Sequence, residues 1–183
     1  IFPFQKYAPN FLEETLKVDA TTAARLFSCF PLLAMGLTPL LGIFLDRKGK
    51  GASMLMLGSI IMIVCHLSFA FLLPVFPKQW FAVLLIVVLG VSFSLVPAAL
   101  WPSVPKIIDE KILGSAYCLI FWVQNIGLFT VPLLIGSLRD STGSYLVPMI
   151  VFSSFGVLAF FFSLLLKKED KVKGYGLEEP NIK

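Results

Sequence analysis

Charge is what this chain has least of. Only 14% of its 183 residues are Asp, Glu, Lys or Arg, where a soluble domain carries about a quarter. Hydrophobic residues make up 57%, 18 of them phenylalanine, and mean hydropathy is +0.89. A soluble fold would have to bury nearly all of this, and a chain this short has too much surface to do so. Most side chains are therefore expected to face lipid.

Other scarcities exclude whole classes of function. One histidine, His66, and no carboxylate inside any apolar run leave little from which to build a hydrolytic or metal-assisted active site. The three cysteines, Cys29, Cys65 and Cys118, sit singly within apolar runs. No C-x-x-C pair suggests a metal site or a disulfide framework, so they read as buried small hydrophobes. No metal and no cofactor is expected. The formal net charge is +4, but the basic residues lie between apolar runs rather than in a patch interleaved with aromatics, so nucleic acid is not an expected partner. The chain begins at Ile1, without methionine or a signal peptide, and reads as a fragment whose start is missing.

What the sequence does contain is span-length apolar runs. About 20 apolar residues cross the hydrocarbon core as a helix. Five runs meet that length, at about 23–45, 52–73, 80–101, 114–138 and 145–166, and Arg25 near the edge of the first is the only charge among them. A soluble bundle would show a polar stripe on each. Residues 1–12 read as the stub of an earlier span. Residues 1–166 thus form a transmembrane half-bundle, and the polar tail 167–183 is expected to be disordered and cytoplasmic. Orientation follows from the basic residues. Ten lie on the side of the tail (Arg47, Lys48, Lys50, Lys106, Lys111, Lys167, Lys168, Lys171, Lys173, Lys183) and five on the other (Lys6, Lys17, Arg25, Lys78, Arg139).

An internal repeat is present. Gly42-x-x-x-Asp46-x-x-Gly49 ends one span and Gly136-x-x-x-Asp140-x-x-Gly143 ends another. Each follows the middle helix of a three-helix group, on opposite membrane faces, as an inverted three-plus-three repeat requires.

Polar residues inside the spans mark candidate contacts. Tyr117, Phe121, Gln124 and Leu128 share one helical stripe, with Asn125 beside it. Either amide offers both a donor and an acceptor to a solute. The alternative is helix–helix adhesion through a neighbouring backbone. Pro97 and Pro102 interrupt the hydrogen-bond ladder near the end of one span and permit bending beside Trp101. Trp101 is either a gate or an interfacial tryptophan. His66 is a lone titratable group in an apolar span. Ser28, Thr38, Ser92, Ser94 and Thr130 are expected to bond their own helix backbone.

Gly42-x-x-x-Asp46-Arg47-x-Gly49-x-Gly51 resembles the loop motif of the major facilitator superfamily, with Gly51 where the family usually has a second basic residue. Phe2-Pro3-Phe4, Ala99-Leu100-Trp101-Pro102, Leu113-Gly114-Ser115-Ala116-Tyr117 and Gln124-Asn125-Ile126-Gly127-Leu128 resemble stretches of one branch of that superfamily. The branch includes animal lysosomal dipeptide exporters and is expected to include bacterial relatives. The resemblance implies an all-α membrane protein: the C-terminal six-helix half of a twelve-helix transporter, with its first helix truncated. It further implies a missing N-terminal half as partner, alongside the lipid bilayer and a small-molecule substrate.

The implied activity is secondary transport of a small organic solute, such as a dipeptide or amino-acid-like compound, by alternating access. Gln5, Tyr7, Tyr117, Phe121, Gln124 and Asn125 are the candidate substrate contacts. Lys6 would meet an anionic group if it lies inward. Gly42, Asp46, Arg47 and Gly49 are the conformational loop. The alternatives are a non-transporting accessory or receptor-like protein of the same fold, and a membrane enzyme. The expected location is a multi-pass membrane, a bacterial inner membrane ahead of a lysosomal one, with a cytoplasmic C-terminus.

Overall fold

The computed structural model describes residues 1–182. Those residues form six helices and no strand: α1 (Phe2–Leu16), α2 (Ala20–Lys48), α3 (Gly51–Leu67, continued by a π-turn Ser68–Leu72), α4 (Gln79–Ile107), α5 (Leu113–Thr142, entered through a 3₁₀ turn Glu110–Ile112) and α6 (Leu146–Lys173). α2 to α6 are long and apolar enough to cross a membrane.

Helix ends carry recognisable chemistry. Asp19 caps α2, accepting from the Thr22 backbone N–H at 2.9 Å and from its hydroxyl at 2.7 Å. That side-chain bond, ahead of the backbone one, holds the Asp19 carboxyl below its usual range. The two repeat motifs end α2 and α5 at a glycine of positive φ, left-handed helical at Gly143 and not at Gly49. Gly49 and Gly143 both have positive φ, 72° and 63°, and their N–H groups bond Leu45 O and Arg139 O. The two ends lie on opposite faces of the bundle, as the inverted repeat predicts.

α1 shows how the core is built. Phe4, Ala8, Phe11 and Leu12 are buried on one face, while Phe2, Lys6 and Asn10 are exposed on the other. The Phe4 ring lies 5.1 Å from His66, 5.5 Å from Phe69 and 5.7 Å from Phe152, which fixes α1 against α3 and α6. Lipid is as apolar as these rings, so packing rather than transfer from water must hold them. Edge-to-face ring pairs contribute about 0.5–1.5 kcal/mol each.

Small residues let three pairs of helices approach closely. Gly58 of α3 meets α4, where the Ser92 hydroxyl donates to Gly58 O at 2.7 Å. Gly90 of α4 faces Leu33 of α2, and Gly156 of α6 faces Ile63 of α3. α5 is different. Only 6% of its most apolar stretch is buried against the chain, compared with 50% for α4.

The structure departs from the sequence expectations in four places. The stub expected at residues 1–12 is a helix through Leu16, ended by Lys17 at φ 54°. α4 does not stop at Trp101-Pro102 but runs through Pro102 and Pro105 to Ile107; a proline removes one ladder bond without dictating where the axis ends. Cys118, expected buried, is exposed on α5, while Cys65 is buried and Cys29 half-buried.

The fourth departure is the tail, expected to be disordered from residue 167. α6 continues to Lys173, and Gly174 then turns the chain back onto the α2–α3 loop. The N–H groups of Lys50 and Gly51 bond Glu178 O and Leu177 O at 3.1 and 2.9 Å. The Glu178 carboxylate takes the Ser53 N–H and hydroxyl, both at 2.7 Å. Lys106 donates to Gly176 O at 2.7 Å, and Leu177 is buried. The cause is the open N-terminus of α3, whose first N–H groups need acceptors and favour a carboxylate. Lys183 lies outside the described residues.

Candidate functional site

The exposed face of α1 is flanked by two grooves. One, of about 420 Å³, runs between α1, α2 and α4 and is lined by Gln5, Phe30, Pro31, Met35, Thr38 and Phe93 among others. The other, of about 360 Å³, lies between α1 and α5 and is lined by Phe2, Pro3, Gln5, Lys6, Leu128 and Pro132. Gln5 belongs to both, so it sits on the ridge between them. Tyr7 does not open into either groove. Its hydroxyl donates to Pro132 O at 2.7 Å and ties α1 to α5. Gly136 permits that approach, because a Cβ there would lie 3.1 Å from the Tyr7 hydroxyl.

The α5 stripe divides between two neighbours. At the end nearest the tail, Trp101 stacks on Phe121 with ring centroids 5.1 Å apart, and Tyr117 lies 6.0 Å away. The Tyr117 hydroxyl donates to Trp101 O at 3.2 Å. That carbonyl's ladder partner would be the N–H of residue 105, which is proline and has none. The sequence thus frees the Trp101 carbonyl for Tyr117. Further along, Gln124 is half-buried in a groove of about 270 Å³ with Phe2, Pro3, Leu128, Phe152 and Phe155. Asn125 is exposed and its amide donates to Phe121 O of its own helix at 2.8 Å.

The candidate residues therefore form two groups. Tyr117, Phe121 and Trp101 come together where α4 meets α5. Gln124 and Gln5 line separate grooves against α5 that share Phe2 and Pro3 of α1. Pro97 is half-buried within α4, and Pro102 opens instead into a small pocket with Gly49, Gly51, Ser103 and Leu177, beneath the docked tail. In the loop, Asp46 Oδ1 accepts from Asn181 at 2.7 Å, so the partner of this carboxylate is the tail. Gly49 could not be replaced without collision, because a Cβ would run into the Glu178 carbonyl. Gly42 borders open space, and Arg47 is exposed.

His66 is a core residue. It is packed among Phe4, Phe69 and Phe152, with Nδ1 2.8 Å from Met62 O. Ser28 and Thr130 bond their own helices, whereas Ser92 reaches across to α3 and the Ser94 hydroxyl has no partner.

One cluster was not legible in the sequence. On the face opposite the tail, Arg139 pairs with Glu14 at 2.7 and 2.9 Å and lies 4.8 Å over the Tyr145 ring, joining α1, α5 and the start of α6. Its one signal was an arginine just beyond an apolar run, which equally marks an ordinary interfacial residue.

Among known proteins, the sequence profile described as Major Facilitator Superfamily matches residues 7–181. The chain is 33% identical over 177 residues to the lysosomal dipeptide transporter MFSD1 of Danio rerio, covering 97% of this chain and 37% of that protein. It is 32% identical over 147 residues to the Mus musculus protein of that name, covering 80% and 30%. Identity to the Homo sapiens protein is 28% over 177 residues, covering 97% and 37%. The chain spans about a third of the length of these curated relatives.

Proposed function

The chain belongs to the major facilitator superfamily, a family of membrane transporters, and from that premise we propose that it is the C-terminal six-helix half of a secondary transporter for dipeptides or similar small organic solutes. In this reading alternating access arises from rocking of this half against an N-terminal half. The solute passes between them, along the wall made by α1, α2 and α5.

The observation that carries the reading is the division of the glycines. Gly58, Gly90 and Gly156 on α3, α4 and α6 are packed against neighbouring helices. Gly36 and Gly42 on α2, and Gly114 and Gly127 on α5, would meet nothing within 4 Å if given a Cβ. Small residues mark close helix contacts in membranes, so the unmatched set suits a second half seated on α2 and α5. The grooves beside α1 then open toward that half, with Gln5 and Gln124 as solute contacts, and Trp101 with Tyr117 closes the end nearest the tail. Pro97 and Pro102 allow α4 to bend there.

The tail is cytoplasmic by its excess of basic residues. Of the two membranes considered, we keep the bacterial inner membrane ahead of the lysosomal one; the word lysosomal belongs to the animal relatives.

The test is uptake by the two-half protein reconstituted in liposomes, using a labelled dipeptide and unlabelled competitors. Saturable uptake, competed by dipeptides better than by free amino acids, is the expected result. Binding without flux would favour the accessory or receptor-like alternative, and neither binding nor flux for any dipeptide would reject the substrate class.

A further inference from the structure

Lys6 is a cation at an unusual depth. It lies seven residues before Glu13, the first carboxylate toward the end of α1 at Leu16, about 10 Å at the helical rise and so inside a hydrocarbon layer of about 30 Å. The Tyr7 bond to Pro132 O agrees with this, since Pro132 lies six residues before Leu138, where the apolar run of α5 ends, about 9 Å along the axis. Lysines near helix ends reach the interface by snorkelling. From about 10 Å the four-carbon stem of lysine falls short.

A charge at that depth persists only where it faces water, a partner or a ligand. Lys6 is exposed, on the α1 face that carries Phe2 and Asn10. Among the described residues no carboxylate lies within ion-pair distance of it; the ion pairs are Arg139–Glu14 and Lys173–Glu169. It borders the groove shared by α1 and α5, where the Gln5 amide is the neighbouring polar group and Phe2, Leu128 and Pro132 supply apolar walls. Apolar walls with a few convergent polar groups are what a small-molecule site presents, and a lysine ammonium directs three donors at an anion.

We propose that Lys6 is the anchor for the solute's carboxylate, with Gln5 beside it to bond an adjacent amide. The binding step is non-covalent. A solute with a free carboxylate neutralises Lys6 within the membrane layer, and one lacking it leaves that cation unpaired. Recognition of the anion then comes from this half of the transporter. The inference rests on the reading of the grooves given under Proposed function.

The experiment compares a dipeptide with its C-terminal amide in the two-half transporter, for wild type, Lys6→Gln and Lys6→Arg. Wild type should bind the free acid at least tenfold more tightly than the amide. Lys6→Gln should lose about that factor for the acid and leave the amide unchanged. Lys6→Arg, which keeps the charge, should retain a preference for the acid and shows that the position tolerates substitution. Equal losses for acid and amide in Lys6→Gln would overturn the proposal, because Lys6 would then be pairing with a carboxylate of the protein. Unchanged acid affinity would overturn it as well. If wild type takes no dipeptide, the proposed substrate class fails by itself. The same acid-against-amide comparison on N-acetylated amino acids then decides Lys6: a preference abolished in Lys6→Gln sustains the anchor, and no carboxylate preference in wild type rejects it.

Discussion

At the scale of single residues, the two amides that look alike in sequence are placed differently. Asn125 spends its donor on Phe121 O within α5, whereas Gln124 is half-buried in a groove against α1 and α6. Losing a bond to a bound solute while stranding its partner costs about 1–3 kcal/mol. Gln124→Leu is therefore expected to weaken solute binding about tenfold, and Asn125→Leu to weaken it less. If Gln124 only holds helices together, its melting temperature falls while affinity in the folded fraction stays constant. Binding and melting measured on the same purified variants separate the two. The Trp101–Phe121 stack lies at the opening nearest the tail, so Trp101→Ala should slow turnover more than it weakens binding. A KM-against-kcat comparison checks this, and unchanged kcat would remove Trp101 from the gate. The stripe itself was legible from helical spacing. That Tyr117 meets Trp101 was not, although Pro105 signalled that the Trp101 carbonyl needed another donor.

At the scale of elements, the spans were legible because apolar runs broken by short charged loops admit little else in lipid. Their ends were not, and the helices extend beyond the runs. α4 ends six residues after Trp101, at Ile107, because interfacial turns tolerate both prolines and a lysine. The tail was misread for a related reason. Its polar, glycine-punctuated composition suits solvent, and nothing local reveals that the first N–H groups of α3 require acceptors from far along the chain. Glu178 meets that requirement at Ser53. Glu178→Ala removes two bonds whose net worth is about 1 kcal/mol each. For a chain of this size it should lower the melting temperature by about 4–8 °C. Glu178→Gln should recover part of that shift. A thermal scan in detergent with no change for Glu178→Ala would mean that the docked tail adds nothing to stability.

For the whole molecule, the unequal cover of its helices is the central feature. α3 and α4 are embedded in the bundle, while α2 and α5 present long apolar faces to the outside. Cysteines introduced at Lys78 and Lys171, both exposed and at opposite ends of the bundle, should react with impermeant reagents from opposite sides of the membrane. Reaction from one side would reject the topology. The two-faced arrangement was partly legible in the inverted repeat, whose motif glycines end α2 and α5 alike. Which faces lack partners was not, because lipid-facing and partner-facing helices are equally apolar. The most direct measurement of the account is dipeptide counterflow in vesicles containing this chain alone, the N-terminal half alone, or both halves co-expressed as separate polypeptides. Counterflow is predicted only when both halves are present; counterflow by this chain alone would contradict the claim that its open face is one wall of a pathway completed by another half.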